Sequence, residues 1–153
     1  MDNIVPVNSI VCGDAETVIR EWPSDSIHCV ITSPPYYQLR DYHVSGQIGL
    51  ERTPEEFIGR LVLLLRQIRR VLRPDGTAWV VIGDSYWSSN GYARASNGWQ
   101  RKGRNDAPAN DRKLPVHAVF KPKDLIMMPH RLAIALQADG WWVRSDICLA
   151  KLN

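Results

Sequence analysis

No Gly-x-Gly occurs anywhere in the 153 residues, so the chain carries no glycine-rich nucleotide loop of that kind. No Cys-x-x-Cys occurs either. Cys12, Cys29 and Cys148 are odd in number and widely spaced. That excludes a zinc or disulfide framework and predicts reduced, mostly buried thiols in a cytoplasmic protein with no metal. Long apolar runs are missing: the longest, Leu61–Leu65, falls far short of the ~20 residues a membrane helix needs. Met1–Val11 lacks the basic start of a signal peptide. Neither sign of charge dominates, since 19 Lys and Arg against 16 Asp and Glu leave a net +3. That balance is mildly basic and by itself barely favours a nucleic-acid partner. Phenylalanine is scarce, at two against six tryptophans and five tyrosines. The aromatic content is therefore mostly amphipathic, suited to stacking surfaces or to packing at the rim of a core.

What is present suits one globular domain, with 44% apolar and 23% charged residues. Ser9–Cys12 predicts a short strand. Ala15–Trp22 predicts a helix, with Val18, Ile19 and Trp22 on one face and Pro23 as its stop. Ser26–Thr32 predicts a second strand buried on both faces, as in a parallel sheet. Gln38–Arg52 is a polar loop holding Gly46 and Gly49. Thr53 is the expected N-cap of a helix running to about Leu72, with Pro54 first and Glu55 and Glu56 in its first turn. Phe57, Leu61, Leu64, Leu65, Ile68 and Leu72 form its apolar stripe. Arg73-Pro74-Asp75-Gly76 reads as a turn, and Thr77–Gly83 as a third strand. Residues 84–119 are rich in Gly, Ser, Asn and Arg and read as a basic surface insertion. Lys121–Gly140 reads as a helix that Pro129 interrupts and Gly140 ends. Trp141–Lys151 reads as a last strand. Strands alternating with helices predict an α/β domain with a largely parallel sheet.

In such a sheet the carboxyl ends of the strands open onto the ligand crevice. Three predicted strands end in polar or special residues: Gly13-Asp14, Ser33-Pro34-Pro35-Tyr36, and Gly83-Asp84-Ser85-Tyr86. The middle one, within Val30-Ile-Thr-Ser-Pro-Pro-Tyr-Tyr-Gln38, is the most telling. Proline has no N–H and a fixed φ, so it holds neighbouring carbonyls in an extended array. Those carbonyls and the Ser33 hydroxyl can accept hydrogen bonds from an amino group, and Tyr36 offers a flat face to a planar ring. The residues alone also allow a rigid loop that merely stops a strand.

Thr32-Ser-Pro-Pro-Tyr-Tyr37 closely resembles the motif of amino-group DNA methyltransferases in which a strand ends in Ser/Asp/Asn-Pro-Pro-Tyr/Phe. The resemblance extends over Gly13–Tyr42, Arg70–Trp87 and Lys123–Lys151, nearly the whole chain apart from the middle insertion. Because the serine-proline motif comes early, the order resembles the permuted β-group of that family, whose glycine loop for S-adenosylmethionine comes late. The resemblance implies a Rossmann-like S-adenosylmethionine-dependent methyltransferase fold, incomplete here, with strands 1 and 2 and the Gly-rich loop missing. Residues 1–153 would then be a partial catalytic domain.

By the same resemblance, Ser33, Pro34 and Pro35 hold the target amino group and Tyr36 stacks on the base. The base must be flipped out, because its amino nitrogen is paired inside a duplex. Acceptors around that nitrogen stabilise the positive charge that develops on it. Cys29, inside its strand, is expected to be a core thiol with no nucleophilic role. Asp14, Ser33 and Pro34 would contact the cofactor; Asp14 also reads as a helix N-cap. Asp84 and Ser85 read as loop structure more than as catalysts. Arg94, Arg101, Lys102, Arg104, Arg112 and Lys113 of the insertion would contact DNA phosphates, or form a solvated loop. Arg144 and Lys151 are weaker candidates of the same kind. Serine at the first motif position leans toward cytosine N4 over adenine N6 as the target.

His130 stands where the family often has an aromatic, and Leu149-Ala-Lys-Leu-Asn153 where it often has Trp-Ala-Lys-Pro-Asn. The absent glycine loop predicts a truncated enzyme, or one part of a split enzyme whose second chain supplies that loop. The other class in play is a non-catalytic remnant that binds DNA or a partner.

Overall fold

Asp14 opens the first element. Its Oδ1 accepts from the Thr17 amide and the Thr17 hydroxyl, each at 3.0 Å, which caps helix α1 (Ala15–Arg20). These bonds hold the Asp14 carboxyl below the usual carboxylate range. The computed structural model describes residues 5–87, 94–95 (backbone only) and 117–150. Strand β1 follows at Ile27–Thr32. Thr53 then starts the longest helix, α2 (Pro54–Val71), through a reciprocal cap: its hydroxyl accepts from the Glu56 amide and the Glu56 carboxylate accepts from the Thr53 amide, both at 3.2 Å. Strand β2 (Leu72–Val80) comes next. A short antiparallel pair, β3 (Ser85–Tyr86) with β4 (Arg94–Ala95), and helix α3 (Met128–Ala138) complete the described elements.

β1 and β2 pair in parallel, with Cys29 opposite Thr77, Val30 opposite Ala78, Ile31 opposite Trp79 and Thr32 opposite Val80. The predicted Arg73–Gly76 turn sits as a bulge between that register and the pairing of Ile27 with Leu72. Gly76 is needed there for space: a Cβ on it would lie 3.1 Å from the His28 carbonyl and 3.0 Å from the Arg73 carbonyl. The ladder runs on beyond the strands, since the Val81 amide donates to the Thr32 carbonyl at 2.9 Å. That bond carries the register one step further, so that Ser33 falls opposite Val81.

The core is the stripe of α2. Phe57, Leu61, Leu65 and Ile68 are buried together with Tyr37, Trp87, Phe120, Ile126, Met128 and Leu132. Val30, Ala78, Val80 and Ile82 pack onto it from the sheet. Arginines of the last turns of α2 then tie down other chain ends. Arg70 donates to the Trp22 carbonyl at 2.7 Å and the Ile19 carbonyl at 2.8 Å, satisfying the end of α1. Arg66 bonds the Asp139 carboxylate and Arg69 the Asp139 carbonyl, which fastens the end of α3 to α2.

Arg66 and its hydrogen bond hold the Asp139 carboxyl below the usual range. A depressed carboxyl contributes stability that is fully present above its unfolded value, ~3.9, and is lost as pH falls through the lower folded value. Asp139→Asn is therefore expected to be less stable at neutral pH and to lose less stability on acidification. Urea unfolding at a series of pH values from neutral to about pH 2 checks this.

Several expectations are corrected. Ser9–Cys12 and residues 141–150 form no strand, because no neighbouring strand among the described residues offers them hydrogen bonds. Strand β1 is not buried on both faces: Ile27 and Val30 turn toward the helices, while Cys29 and Ile31 point away and are exposed. Cys29 is thus not a core thiol; Thr77 Oγ1 donates to its sulfur at 3.6 Å on the open face. Cys12 and Cys148 are exposed as well. The helix expected from Lys121 begins only at Met128, with Pro129 in its first turn, where a missing N–H is harmless. Gly140 has φ +91° and follows that helix as a C′ residue should. Among the described residues no helix is long and apolar enough to cross a membrane, and no cluster of His, Cys, Asp or Glu could hold a metal ion.

Candidate functional site

The turn Ser33–Tyr36 leaves the end of β1 with its four residues in different environments. Ser33 is exposed, Pro34 buried, and Pro35 and Tyr36 half-buried. The carbonyl oxygens of Ser33, Pro34 and Pro35 have no hydrogen-bond partner among the described residues. Ser33 Oγ donates to Tyr36 Oη at 3.3 Å. A hydroxyl that gives its proton keeps its lone pairs for another donor.

Three contacts hold the turn. Tyr37 is the anchor: it is 2% exposed, its ring centroid lies 5.4 Å from that of Phe57, and its hydroxyl donates to the Arg52 carbonyl at 3.3 Å. Burial pushes its phenol well above the usual range. The second contact is Gly49. Its φ of +108° suits glycine, and a Cβ there would sit 3.1 Å from the Tyr36 carbonyl and 3.2 Å from Pro35 Cβ. Its carbonyl accepts from the Gln38 amide at 2.7 Å, and its amide donates to the Glu51 carboxylate at 2.8 Å. The third is Gly83, just past β2. A Cβ on Gly83 would come within 2.8 Å of Tyr36 Cε2 and 2.9 Å of Cδ2, so the tyrosine ring lies directly against this glycine backbone.

Asp84 belongs to the same strand end but serves the scaffold. Its Oδ1 accepts from the Met128 amide at 3.0 Å and from the Ser85 amide at 2.8 Å. Met127, the α3 N-cap, has no capping side chain of its own, so Asp84 caps that helix from across the chain. Ser85–Trp87 then pair with Lys123–Ile126, through the Trp87 amide to the Asp124 carbonyl at 2.7 Å and the Ile126 amide to the Ser85 carbonyl at 2.9 Å. Trp87 is 4% exposed and stacks on Phe120 with centroids 5.4 Å apart. The flanks of the basic stretch are thus built into the core.

The structure brings Ser33, Pro34, Pro35 and Tyr36 together and adds Gly49 and Gly83 to them. Asp14 is exposed, with Oδ1 engaged by Thr17, and no hydrogen bond links it to the turn among the described residues. Arg101, Lys102, Arg104, Arg112 and Lys113, and the side chain of Arg94, lie outside the described residues. Gly83 was legible as the end of a predicted strand and Gly49 as a loop glycine, but that both give room to Pro35 and Tyr36 is not written in the local sequence. An open apolar groove between α2 and α3, lined by Ile58, Val62, Leu63, Ile134 and Ala135, shares no residue with the turn.

A family model described as DNA methylase, of the N6/N4 methyltransferase type, matches residues 27–153. The chain is 50% identical over 141 residues to the type II methyltransferase M.XycI of Xanthomonas campestris pv. cyanopsidis, a match that covers 92% of this chain and 45% of that protein. It is 48% identical over 141 residues to the type II methyltransferase M.Cfr9I of Citrobacter freundii, covering 92% of this chain and 45% of that relative. With the type II methyltransferase M.SmaI of Serratia marcescens the identity is 46% over 145 residues, covering 94% of this chain and 48% of that relative. The chain therefore spans less than half the length of these curated relatives. No solved structure matches it.

Proposed function

The chain belongs to the DNA methylase family, and on that premise we propose that it carries the target-base site of a type II DNA methyltransferase, with Ser33–Tyr36 as the site. The relatives just described bear the type II methyltransferase name and the matching family model is described as DNA methylase, which supports DNA as the proposed substrate. The fold is read as part of a Rossmann-like methyltransferase domain; a mixed α/β chain with a parallel β1–β2 pair is consistent with that.

The chemistry follows from the turn. A flipped base presents an exocyclic amino group whose lone pair is delocalised into the ring. The Ser33 hydroxyl and the Ser33 and Pro34 carbonyls accept the amino hydrogens and draw the nitrogen toward a tetrahedral geometry. That localises its lone pair and stabilises the positive charge that appears as it attacks. Tyr36 stacks on the base and holds its plane, a contact worth ~1–3 kcal/mol per base in single-strand recognition. S-adenosylmethionine, when bound, supplies the methyl group on a sulfonium. Asp14, Ser33 and Pro34 are the residues of this chain expected to face it. Ser33 and Pro34 stand at the strand end that holds the base, whereas Asp14 has one carboxylate oxygen committed to its helix. Arg94, Arg101, Lys102, Arg104, Arg112 and Lys113 are proposed to neutralise DNA phosphates, with binding that weakens as salt rises. Serine at the motif's first position favours cytosine N4 as the acceptor.

The single observation that supports this reading is the cluster of unbonded acceptors at the end of β1 with an aromatic ring held beside them. A methyl-transfer assay tests it, with the chain coexpressed with the portion of M.XycI that lies beyond the match. Ser33→Ala should cost about a hundredfold in kcat, the order lost when one preorganised hydrogen-bonding group is removed, and Pro34→Ala should also lower kcat, because it keeps the carbonyl but frees the backbone that fixes it. Full activity in both variants would refute the assignment.

A further inference from the structure

The turn at the end of β1 rests on a second stretch of chain, residues 49–52, and four hydrogen bonds lace the two together. The Gln38 amide donates to the Gly49 carbonyl at 2.7 Å. The Gln38 side chain donates through Nε2 to the Glu51 carbonyl at 2.6 Å. Tyr37 Oη donates to the Arg52 carbonyl at 3.3 Å, and the Gly49 amide donates to Glu51 Oε2 at 2.8 Å. Only the last of these uses a carboxylate, and a charge-assisted bond is roughly twice as strong as a neutral one.

Glu51 directs its carboxylate to this one bond. Its second oxygen, Oε1, is buried and has no hydrogen-bond partner among the described residues. Burying a carboxylate oxygen without a partner costs free energy, so stability alone is a poor reason for a glutamate here. The local effect of the bond is specific. It folds residues 49–51 into a hook that holds the Gly49 backbone against the turn. Gly49 is buried, and a Cβ on it would lie 3.2 Å from Pro35 Cβ and 3.1 Å from the Tyr36 carbonyl. The Pro34 carbonyl belongs to the peptide that enters Pro35, so any shift of Pro35 moves that acceptor. Gln38, where the chain leaves the turn, has φ +54°. A residue other than glycine keeps that conformation only where its surroundings hold it, and here its backbone amide and its side chain are both tied to residues 49–51. Gly83 confines the Tyr36 ring from the other strand end.

We propose that Glu51 is a positioning residue for methyl transfer. Its carboxylate holds Gly49 against Pro35 and Tyr36, and so fixes the acceptors and the ring that receive the base. Glu51 itself touches neither base nor methyl donor. The inference rests on the target-base reading above and adds to it the residue that sets the geometry of the turn.

The test uses the chain coexpressed with the portion of M.XycI beyond the match. Glu51→Ala should lower kcat about 10- to 100-fold, the scale of loss when a reacting group is misplaced by ~1 Å. KM for DNA should stay nearly unchanged, because most DNA affinity comes from phosphate contacts. Glu51→Gln keeps an oxygen at the same reach and should restore most of the lost rate. In the chain alone, the Gly49 amide should exchange its hydrogen with solvent at least ~10-fold faster in Glu51→Ala than in Glu51→Gln. Gln38→Ala removes the other side-chain bond to this segment and should lower kcat in the same direction, which keeps the test open where Glu51→Ala does not fold. A lower urea midpoint with the kcat of the folded enzyme intact would assign Glu51 a structural role only and overturn the proposal. So would an equal loss of kcat in Glu51→Gln and Glu51→Ala, or Gly49 exchange that ignores both. Ser33→Ala separates this inference from the reading beneath it. A rate lowered by Ser33→Ala and untouched by Glu51→Ala counts against Glu51 alone, whereas a rate untouched by either counts against the target-base site itself.

Discussion

Gly83→Ala is expected to lower kcat/KM for methyl transfer by about tenfold to a hundredfold, and to do so only while Tyr36 is present. The alanine Cβ would stand 2.8 Å from Tyr36 Cε2, closer than real contacts allow, so the ring must move off the position it now holds. Moving it forfeits the stacking that orders the base, ~1–3 kcal/mol. The neighbouring contacts give little room for compensation, because Tyr37 is fixed in the core and Gly49 blocks the turn from beneath. In a Tyr36→Ala background there is no ring to displace, and Gly83→Ala should then add almost nothing. A double-mutant cycle measured with the complemented chain reads this directly. Losses that simply add would mean that Gly83 acts through something other than Tyr36.

Phe57→Ala is expected to destabilise the chain by ~3–5 kcal/mol. Phe57 is fully buried at the N-terminal end of the α2 stripe, and its ring also backs Tyr37, the anchor of the site. The cavity would lie between helix and turn, so stability and site geometry should fail together. Leu63→Ala, six residues along the same helix but 54% exposed, should shift stability by no more than ~0.5 kcal/mol. Urea midpoints for the two variants, with unchanged slopes, separate the cases.

The parts of the fold governed by local chemistry were legible in the sequence. Thr53, Pro54 and Glu56 specify a helix start within four residues, and the Phe57–Ile68 stripe has helical spacing, so α2 needs nothing else to be read. Asp14 was legible as a cap for the same reason. The Ser33–Tyr36 turn announced itself because two prolines at a strand end leave few conformations. What failed depended on distant neighbours. Ser9–Cys12 and Trp141–Lys151 have strand composition, but a strand exists only beside another strand. Cys29 and Ile31 sit in a continuous apolar run that implies burial on both faces, yet only one face of β1 meets the core. Asp84 read as loop structure more than as a catalyst, but its specific role as the cap of α3 needs Met128, 44 residues along, to be in place. Nothing in the local sequence says which of Tyr36 and Tyr37 turns inward; the packing against Phe57 decides it.

The central claim, that Ser33–Tyr36 grips the amino group of a flipped base, is tested most directly by nucleoside mass spectrometry. DNA would be taken from cells expressing the complemented chain, and from cells expressing its Pro34→Ala variant. N4-methylcytosine present with the first and missing with the second is the predicted result. N6-methyladenine with the same dependence on Pro34 would keep the site and change the base. Methylation at a ring carbon, or amino methylation indifferent to Pro34→Ala, would contradict it.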